Sequence, residues 1–575
     1  MRRTSIFQPL LGLMLLALTW SVPSRLWAQG DDPPARVARL SYVKGNVSLQ
    51  VSGANDWAQA TLNYPLTTGD RLYTDQGSRV ELEVGSTAVR MSEATDLTVA
   101  NLNDQLLQLG LGQGTVRVRV FELAPGESVE VDTPNGALTL LQAGDYRVEV
   151  FSNEGATLVI VDQGSLEVSG GNVLQRVESG RAVKLTGTDP IQVSFVELPN
   201  PDGFDQWCRE RDRRFEASAS AQYVGRGVPG YYDLDDYGQW QNVPEYGPVW
   251  VPAAVPVGWV PYRFGHWVWV SPWGWTWVED EPWGFCPFHY GRWAVVGGVW
   301  GWVPGPVVVR PYYAPALVAF VGGPHFSVGI GAGAGVGWFP LGPREPFFPW
   351  YHHDDVYLRQ VNVTNIRNVT NITNITNVKN VNNIHYANRT VATTVVAQEA
   401  FRSGQPVYRN VLHVNPAQLG QVPITAHPHV TPAGEALFGG KVAPGPPRVL
   451  TPMTARPPGQ SPAPARPNQP PVMTRTAPPV QGETGRPAPT PSRFVTRQPL
   501  PPPTPPLSAR QPAMEEHPGR PLEPQQLQNL RQGKPAGPMR DKEFPPHAAS
   551  PRQAAPKAEQ PAPRSSDRGG KPHGL

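Results

Sequence analysis

Apolar and polar residues alternate along four separate stretches between residues 36 and 197. A period of two is typical of a β-strand that buries one face. Turn signals that contain glycine separate these stretches at intervals of roughly ten residues, which favours a sandwich, a barrel or a stacked β-helical sheet. We therefore predict a mainly β fold that begins with an all-β domain over 36–197. The alternating stretches are 47–51, 80–84, 116–120 and 146–150.

A second pattern, a repeat of tryptophans, occupies residues 236–305. Twelve of the 18 tryptophans of the chain lie between Trp240 and Trp302. An aromatic-Gly-x-Trp motif occurs three times, and a second Trp follows each motif nine or ten residues later, after turn-forming residues. This spacing predicts three β-hairpins, each with a cross-strand pair of tryptophans. The predicted pairs are Trp240 with Trp250, Trp267 with Trp277, and Trp293 with Trp302.

Two roles fit these tryptophans. Because Trp carries a large apolar area, the rings can close the core of a small sheet, and their fixed hairpin positions favour this role. Alternatively, exposed rings can stack on sugars or enclose a quaternary ammonium group. Trp273 and Trp283 lie in loops outside the predicted pairs, so they are the candidate ligand-stacking residues.

Residues 198–235 are predicted to be a linker with one short helix. Asp202 is a suitable N-cap, and Cys208 and Phe215 follow it on one apolar face, with Asp212 on the opposite side. The helix either packs on a neighbouring domain through that face or docks on a partner through its basic residues. The packed arrangement is favoured.

The residues after the repeat differ in composition. The segment 306–350 is rich in Gly and Pro, and its alternate glycines predict a strand with one bare face. The segment 351–440 contains an Asn triplet repeat that begins at Asn362 and favours extended structure, since Asn and β-branched residues disfavour a helix. In 441–575, 35 of 135 residues are Pro and apolar periodicity is absent, so we predict a disordered tail.

Charge is unevenly distributed along the chain. The formal net charge is +2, but the tail carries 19 Lys and Arg against 8 Asp and Glu. A basic segment is attracted to anionic surfaces by charge alone. We therefore expect the tail to contact such surfaces.

The N-terminus has the three-part pattern of a secretory signal peptide. Two arginines precede an apolar run over 10–20, and Ala28 ends a cleavage-like tripeptide. We therefore predict a signal peptide at 1–28 and a mature protein in the periplasm or at the cell surface, with an uncleaved anchor as the alternative. No later apolar run is long enough to span a bilayer. Cys208 and Cys286 either form one disulfide in that oxidising compartment or remain two buried thiols.

Two short motifs in the all-β domain resemble those of FecR domains. Residues 65–74, with Gly69-Asp70 inside, are similar to the Gly-Asp stretch of that family, and 131–136 are similar to its Thr-Pro segment. The tryptophan repeat resembles an uncharacterised region that often follows FecR domains in exported bacterial proteins. The resemblance implies a FecR-like fold for 36–197. The best-known FecR proteins are transmembrane regulators that link an outer-membrane receptor to a cytoplasmic sigma factor. The predicted signal peptide departs from that plan, so we do not extend the signalling role to this chain.

Familiar catalytic motifs are absent from the sequence, including His-Glu-x-x-His, Gly-x-Ser-x-Gly and Cys-x-x-Cys. The most metal-like cluster, at 352–355, lies in a predicted loop, and the acidic run 279–281 is interpreted as a loop tip. We therefore predict no catalytic residue, no cofactor and no metal.

The favoured function is that of a non-enzymatic, exported envelope protein that binds or scaffolds. Its partner would be an envelope polysaccharide or another envelope protein, and we expect no nucleic-acid partner. A FecR-type signalling component and a glycan-acting enzyme are the alternatives.

Overall fold

The computed structural model describes residues 32–171, 173–308, 310–322, 335–366, 384–415, 419, 422–425, 427–440 and 493–539. Four of the segments discussed above lie wholly or mostly outside the described residues. They are the predicted signal peptide, most of the glycine alternation, most of the Asn triplets, and the tail on either side of 493–539. Strands account for 37% of the structure and helices for 18%, which confirms the mainly β prediction.

The β domain contains the first 17 strands of the described residues. They are β1 (Ala38–Lys44), β2 (Val47–Gln50), β3 (Ala58–Gln59), β4 (Pro65–Leu66), β5 (Arg71–Thr74), β6 (Arg79–Val84), β7 (Thr87–Met91), β8 (Asp96–Leu102), β9 (Leu106–Val120), β10 (Ser128–Asp132), β11 (Ala137–Leu140), β12 (Gly144–Phe151), β13 (Ala156–Gln163), β14 (Ser165–Gly170), β15 (Val173–Glu178), β16 (Arg181–Thr186) and β17 (Gln192–Val196).

Two sheets of this domain share the long strand β9. The first half of β9 pairs with β8 and with β10, and its second half pairs with β7 and β12. One sheet has the order β4-β1-β6-β7-β9-β12-β13-β16-β17. The other has the order β3-β2-β5-β8-β9-β10-β11-β14-β15. Apolar side chains from both sheets, such as Leu49 and Val118, meet in one core.

The two motifs at 65–74 and 131–136 form turns that side chains hold in place. The buried Asp70 carboxylate accepts hydrogen bonds from the backbone N–H groups of Ser52 (2.8 Å) and Thr67 (2.7 Å). In the second motif the Thr133 hydroxyl donates to the Gly136 carbonyl at 2.8 Å. The Asn135 amide donates to two further backbone carbonyls. Both motifs therefore fix the backbone where one strand leads to the next.

The predicted linker helix, α1 (Gly203–Ala217), forms and packs on the β domain. Asp202 is its N-cap and accepts hydrogen bonds from two N–H groups of the first turn, as the sequence predicts. Asp212 differs from the prediction, because it lies on the buried side and pairs with Arg90 at 2.6 Å. Arg211 pairs with Glu81 on β6 at 2.5 Å. These buried ion pairs place the helix against the domain, in the favoured packed arrangement.

The three predicted hairpins form with the predicted register. Trp240 lies opposite Trp250, Trp267 opposite Trp277, and Trp293 opposite Trp302. The third hairpin turns at Gly297 and Gly298, which both have positive φ, as a two-residue hairpin loop requires. The strands are β18 (Gly238–Val243), β19 (Gly247–Pro252), β20 (Gly265–Val270), β21 (Gly274–Glu279), β22 (Arg292–Val296) and β23 (Val299–Val303).

The three hairpins do not pack as equivalent units. The first and third form one sheet with the order β18-β19-β23-β22, joined where Trp250 pairs with Trp302. The second hairpin, β20 and β21, is a separate two-stranded sheet. We call residues 236–305 the tryptophan module.

Another four-stranded sheet follows the tryptophan module. It contains β24 (Val318–Val321), β25 (Gly335–Pro340), β26 (Thr394–Ala397) and β27 (Ile424–Thr425), in the order β26-β25-β24-β27. The short helices are α2 (Leu234–Tyr237), α3 (Phe285–His289), α4 (Asp355–Val363), α5 (Arg389–Ala392) and α6 (Gln398–Arg402). Single 3₁₀ turns occur at Ala219–Gln222, Tyr231–Asp233, Val407–Arg409 and Gly434–Leu437.

Two of the composition-based predictions can be compared with this region. Gly335 and Gly337 lie in β25, so the glycine alternation ends in a strand as predicted. Asn362 lies in the last turn of α4 instead of in an extended segment. The helix is tolerated there because the Asn362 amide donates to the carbonyls of Phe347 (2.8 Å) and Leu358 (2.9 Å).

Part of the tail has regular structure and packs on the rest of the chain. Residues 493–539 include α7 (Leu507–Glu516) and α8 (Pro524–Arg531). Met514 is 2% exposed, and Val495 forms a bridge with Thr133 of the β domain. The structure therefore differs from the predicted disorder over 493–539. The segment has few apolar residues, but those that it has, such as Met514, are buried against the rest of the chain.

The two cysteines are free and buried, so the structure contains no Cys208–Cys286 disulfide. Cys208 faces the β domain from α1 and lies near Arg90, whereas Cys286 lies in α3 near Arg39. Burial raises the pKa of Cys208 to about 12 and that of Cys286 well above its usual range. The disulfide prediction is wrong because each thiol is enclosed in a different packed environment.

Buried polar contacts join the β domain to the tryptophan module. The Arg39 guanidinium on β1 donates to the Pro282 carbonyl of the module at 2.8 Å, and it also lies 2.7 Å from Asp233, just before the module. Asn63 donates to the backbone carbonyls of Glu279 (3.0 Å) and Glu281 (2.7 Å). Within the described ranges, no helix is long and apolar enough to cross a membrane.

Candidate ligand pocket beside the tryptophan module

The loop tryptophans are buried, which contradicts the prediction that they form a stacking surface. Trp273 has no exposed surface and packs with its ring 5.1 Å from that of Tyr313. Trp283 is 2% exposed and lies between the rings of Trp250 and Trp259. The prediction is wrong because both loops fold inward, where their large rings are removed from water.

The hairpin tryptophans also form core. Trp250, Trp267, Trp277, Trp293 and Trp302 are each at most 1% exposed. Three of their indole N–H groups donate to backbone carbonyls at 2.7–3.0 Å, as expected for buried indoles. Of the two roles that the sequence allows, these five rings take the structural one.

The other candidate residues from the sequence do not come together as a reactive site. Glu279 is buried instead of exposed at a loop tip, and its carboxylate accepts the Trp277 indole N–H at 2.9 Å. Burial raises the pKa of Glu279 well above its usual range. In the 352–355 cluster, Asp354 caps α4 through the Tyr357 N–H. No group of three or more His, Cys, Asp or Glu side chains that could hold a metal occurs in the described part of the chain.

A pocket opens between the first and third hairpins and the segments that follow them. Its volume is about 240 Å³, which suits a small ligand or the end of a larger one. Four apolar side chains line it beside a small set of charged and polar groups. The lining residues are Glu245, Tyr246, Gly247, Arg292, Val303, Pro304, Pro343, Arg344, Asn365 and Ile366.

Arg292 is the buried cation of this pocket, with 1% of its surface exposed. Its guanidinium donates to the Glu345 carbonyl at 3.0 Å and to the Gly291 carbonyl at 2.8 Å. A longer bond of 3.4 Å reaches the Asn362 side-chain oxygen. A guanidinium has five N–H donors in a planar fork, so these three bonds leave donor capacity for a ligand.

The charge of Arg292 has no carboxylate partner within ion-pair distance in the part of the chain that the structure describes. The neighbouring Glu345 carboxylate accepts the N–H groups of Gly342 (2.6 Å) and Ala387 (2.7 Å) instead. Burial lowers the pKa of Arg292 to about 10, which still leaves it charged at neutral pH. An unpaired buried charge is costly, and an anion that enters the pocket would offset that cost.

Residues at the mouth of the pocket add both signs of charge. Arg344 is exposed and has a φ of 70°, a conformation that is unusual for a residue with a Cβ. Burial and the Glu245 carboxylate raise the pKa of the Tyr246 hydroxyl, while Arg344 opposes the shift. The mouth therefore offers one cation, one anion and a phenol.

Two asparagines of the triplet repeat form the wall behind Arg292. The Asn365 side-chain oxygen accepts the Gly291 N–H at 2.9 Å, and its amide donates to the carbonyls of Tyr312 and Val361. Neither Arg292 nor Asn365 was predicted to be a site residue from the sequence. The available signal was a charged residue inside an apolar hairpin motif, at the position before Trp293.

Comparison with known proteins identifies one part of the chain. Residues 231–345, which include Arg292 and most of the pocket, match a family of unknown function (DUF6600). No curated protein matches the chain. Two crystal structures of a protein assigned as an anti-sigma factor, from Parabacteroides distasonis ATCC 8503, align with TM-scores of 0.20 at 15% and 14% identity. Each alignment covers 22% of this chain and 60% of that protein. The segment 231–345 is therefore similar to a family whose function is unknown.

Proposed function

We propose that this protein is an exported, non-enzymatic binding protein of the bacterial cell envelope, and that it binds the anionic group of an envelope ligand at Arg292. The observation that carries the proposal is the buried, unpaired guanidinium at a pocket of about 240 Å³. Export is supported by the N-terminal sequence pattern.

The pocket lining limits the chemistry of the ligand. A carboxylate or a phosphate can accept two parallel N–H bonds from a guanidinium. Val303, Pro304 and Ile366 provide apolar contacts beside that bond. At the mouth, the Glu245 carboxylate can accept hydrogen bonds from ligand hydroxyl groups, and the Tyr246 hydroxyl can donate or accept them. These features fit the acidic end of a polysaccharide fragment.

The test is a comparison of acidic and neutral ligands on the full mature chain. We expect oligosaccharides that carry carboxylate or phosphate groups to bind by calorimetry, and their neutral counterparts to bind at least about tenfold more weakly, since one charged contact is worth roughly 1.5–3 kcal/mol. Arg292→Lys keeps the charge but loses the planar fork, so it should weaken binding. Tyr246→Ala tests the mouth without removing a buried charge.

Arg359→Ala is the matched control, because Arg359 is exposed on α4 and does not line the pocket. Binding should be unchanged in this variant. Equal affinity for neutral and acidic ligands, or unaltered binding by both pocket variants, would show that the pocket is not the site. New reducing ends after prolonged incubation would contradict the non-enzymatic part of the proposal.

FecR-type signalling is the proposal from the other functional class. It rests on the resemblance of the two motifs at 65–74 and 131–136 to those of FecR domains. A pull-down with the full chain from envelope extract distinguishes the two classes. Recovery of a sigma-regulating membrane protein supports signalling, whereas recovery of acidic polysaccharide supports binding.

A further inference from the structure

The tail residues 493–498 lie along the polar outer surface of β10 in the β domain. The Val495 N–H donates to the Thr133 carbonyl at 3.0 Å, and the two residues form an antiparallel bridge. This contact extends the pairing of the β domain by one short segment of a distant part of the chain. It involves only backbone groups, so most residues could make it.

An aromatic ring of the segment covers a bare patch of the sheet. Gly110 lies on β9, and a Cβ at this position would be 2.7 Å from the Phe494 ring. Any larger residue at position 110 would therefore displace the ring. The surface at Gly110 therefore accommodates an aromatic side chain.

Side chains of the sheet hold the backbone of the segment. One Glu130 carboxylate oxygen accepts the N–H groups of Arg497 and Gln498, each at 3.1 Å. Gln108 donates to the Gln498 carbonyl at 3.1 Å. Glu130 and Gln108 are fully buried with the segment in place, so their hydrogen bonds to its backbone are shielded from water.

One charged contact adds specificity. The Arg497 guanidinium forms an ion pair with Glu167 on β14. Arg493 and Arg497 are both exposed, but within the described residues only Arg497 is joined to the sheet by an ion pair. The surface therefore recognises an aromatic side chain and an arginine three positions later, and it binds the other residues of the segment through backbone hydrogen bonds.

We propose that this surface, formed by Gln108, Gly110, Glu130, Thr133 and Glu167, is a peptide-binding groove, and that residues 493–498 are its built-in occupant. A second protein that offers an extended peptide with an aromatic residue and an Arg at this spacing is the partner that it fits. The occupied groove is autoinhibited, and it accepts that partner only when the tail is released. This proposal is independent of the Arg292 pocket.

The covalent connection explains why the groove is closed by default. A segment tethered to the same chain acts at an effective concentration that reaches roughly the millimolar range. A free peptide at micromolar concentration cannot compete with it at equal affinity. Weakening the tail contacts removes this advantage and leaves the groove itself intact.

The experiment uses the full mature chain and a fluorescent peptide with the sequence of residues 491–499. We expect the wild-type chain to bind this peptide at least about tenfold more weakly than the double variant Phe494→Ala/Arg497→Glu, because the tethered segment competes only in the former. Limited proteolysis monitors release of residues 493–498. The matched control is Arg493→Glu, which makes the same charge change at an exposed position and should behave as wild type.

A charge exchange tests the groove directly. In the released chain, Glu167→Arg should switch the preference from the peptide with Arg to one with Glu at the same position. A double variant whose segment stays as protected from protease as wild type overturns the proposal, because the contacts above would then not hold the tail. A released chain that fails to bind the peptide, or a preference that Glu167→Arg does not change, also overturns it.

Discussion

The aromatic core permits a quantitative test through two double-mutant cycles on the hairpin tryptophans. The rings of Trp267 and Trp277 are 5.5 Å apart and meet edge to face. Trp293 and Trp302 also face each other in register, but their closest ring partners differ: Trp293 contacts Trp259, and Trp302 contacts Trp240. The same register therefore produces direct ring contact in one hairpin and not in the other.

The expected magnitudes follow from burial and from these contacts. Each of the four residues is at most 1% exposed, so each Trp→Ala change should cost about 3–5 kcal/mol in the free energy of unfolding. An edge-to-face pair is worth about 0.5–1.5 kcal/mol beyond its buried area. The Trp267/Trp277 double variant should therefore cost about 1 kcal/mol less than the sum of its single variants. The coupling between Trp293 and Trp302 should be less than half of that value.

The assay is urea-induced unfolding of the full mature chain, followed by far-ultraviolet circular dichroism and by fluorescence. Coincident transitions are required before free energies are compared. Single substitutions that change stability by less than about 0.5 kcal/mol would refute the core role, since exposed positions behave in that way. A larger coupling in the Trp293/Trp302 cycle than in the Trp267/Trp277 cycle would refute the assignment of ring contacts.

Three further outcomes are expected. Burial and the neighbouring Glu130 raise the pKa of Asp132 to about 9. The folded state therefore holds a proton that the unfolded state loses near pH 4. As a result, the free energy of unfolding of the wild type should fall between about pH 4 and 9, by up to about 1.4 kcal/mol per pH unit. Asp132→Asn should reduce this slope in pH-dependent urea denaturation. Deletion of 493–575 should lower the melting temperature by several degrees in scanning calorimetry, because Met514 and Leu522 are buried on the body, and an unchanged midpoint would contradict the packing. Residues 1–35 should direct a reporter that is active only outside the cytoplasm, and a reporter that stays inactive would contradict export.

Local patterns predicted those features that depend on residues close in sequence. The register of each hairpin follows from the spacing between its tryptophans and the loop between them, so all three pairs could be deduced. The helix after Asp202 follows from one capping residue and an apolar spacing. In both cases the forces that fix the structure act within about 15 residues.

Features that depend on distant partners could not be predicted. Asp212 is polar, and its spacing places it on the outer side of α1, yet Arg90 on β7 pairs with it and makes its burial possible. Trp273 and Trp283 occupy loop positions, but they lie in the core because Trp273 packs on Tyr313 and Trp283 packs on Trp259. Composition likewise indicated disorder for all of 441–575. This prediction was wrong over 493–539 because composition contains no information about the surfaces on which those residues pack.

The three aromatic-Gly-x-Trp motifs show why a sequence repeat does not repeat a site. The residue before the motif Trp is Gln239 in the first copy, His266 in the second and Arg292 in the third. Gln239 is exposed, and His266 pairs with Asp280 at 3.1 Å. Only Arg292 is enclosed by segments from outside the repeat and left without a carboxylate partner in the described structure. The repeat supplies the scaffold, and the residue that varies within it determines where the proposed anion contact lies.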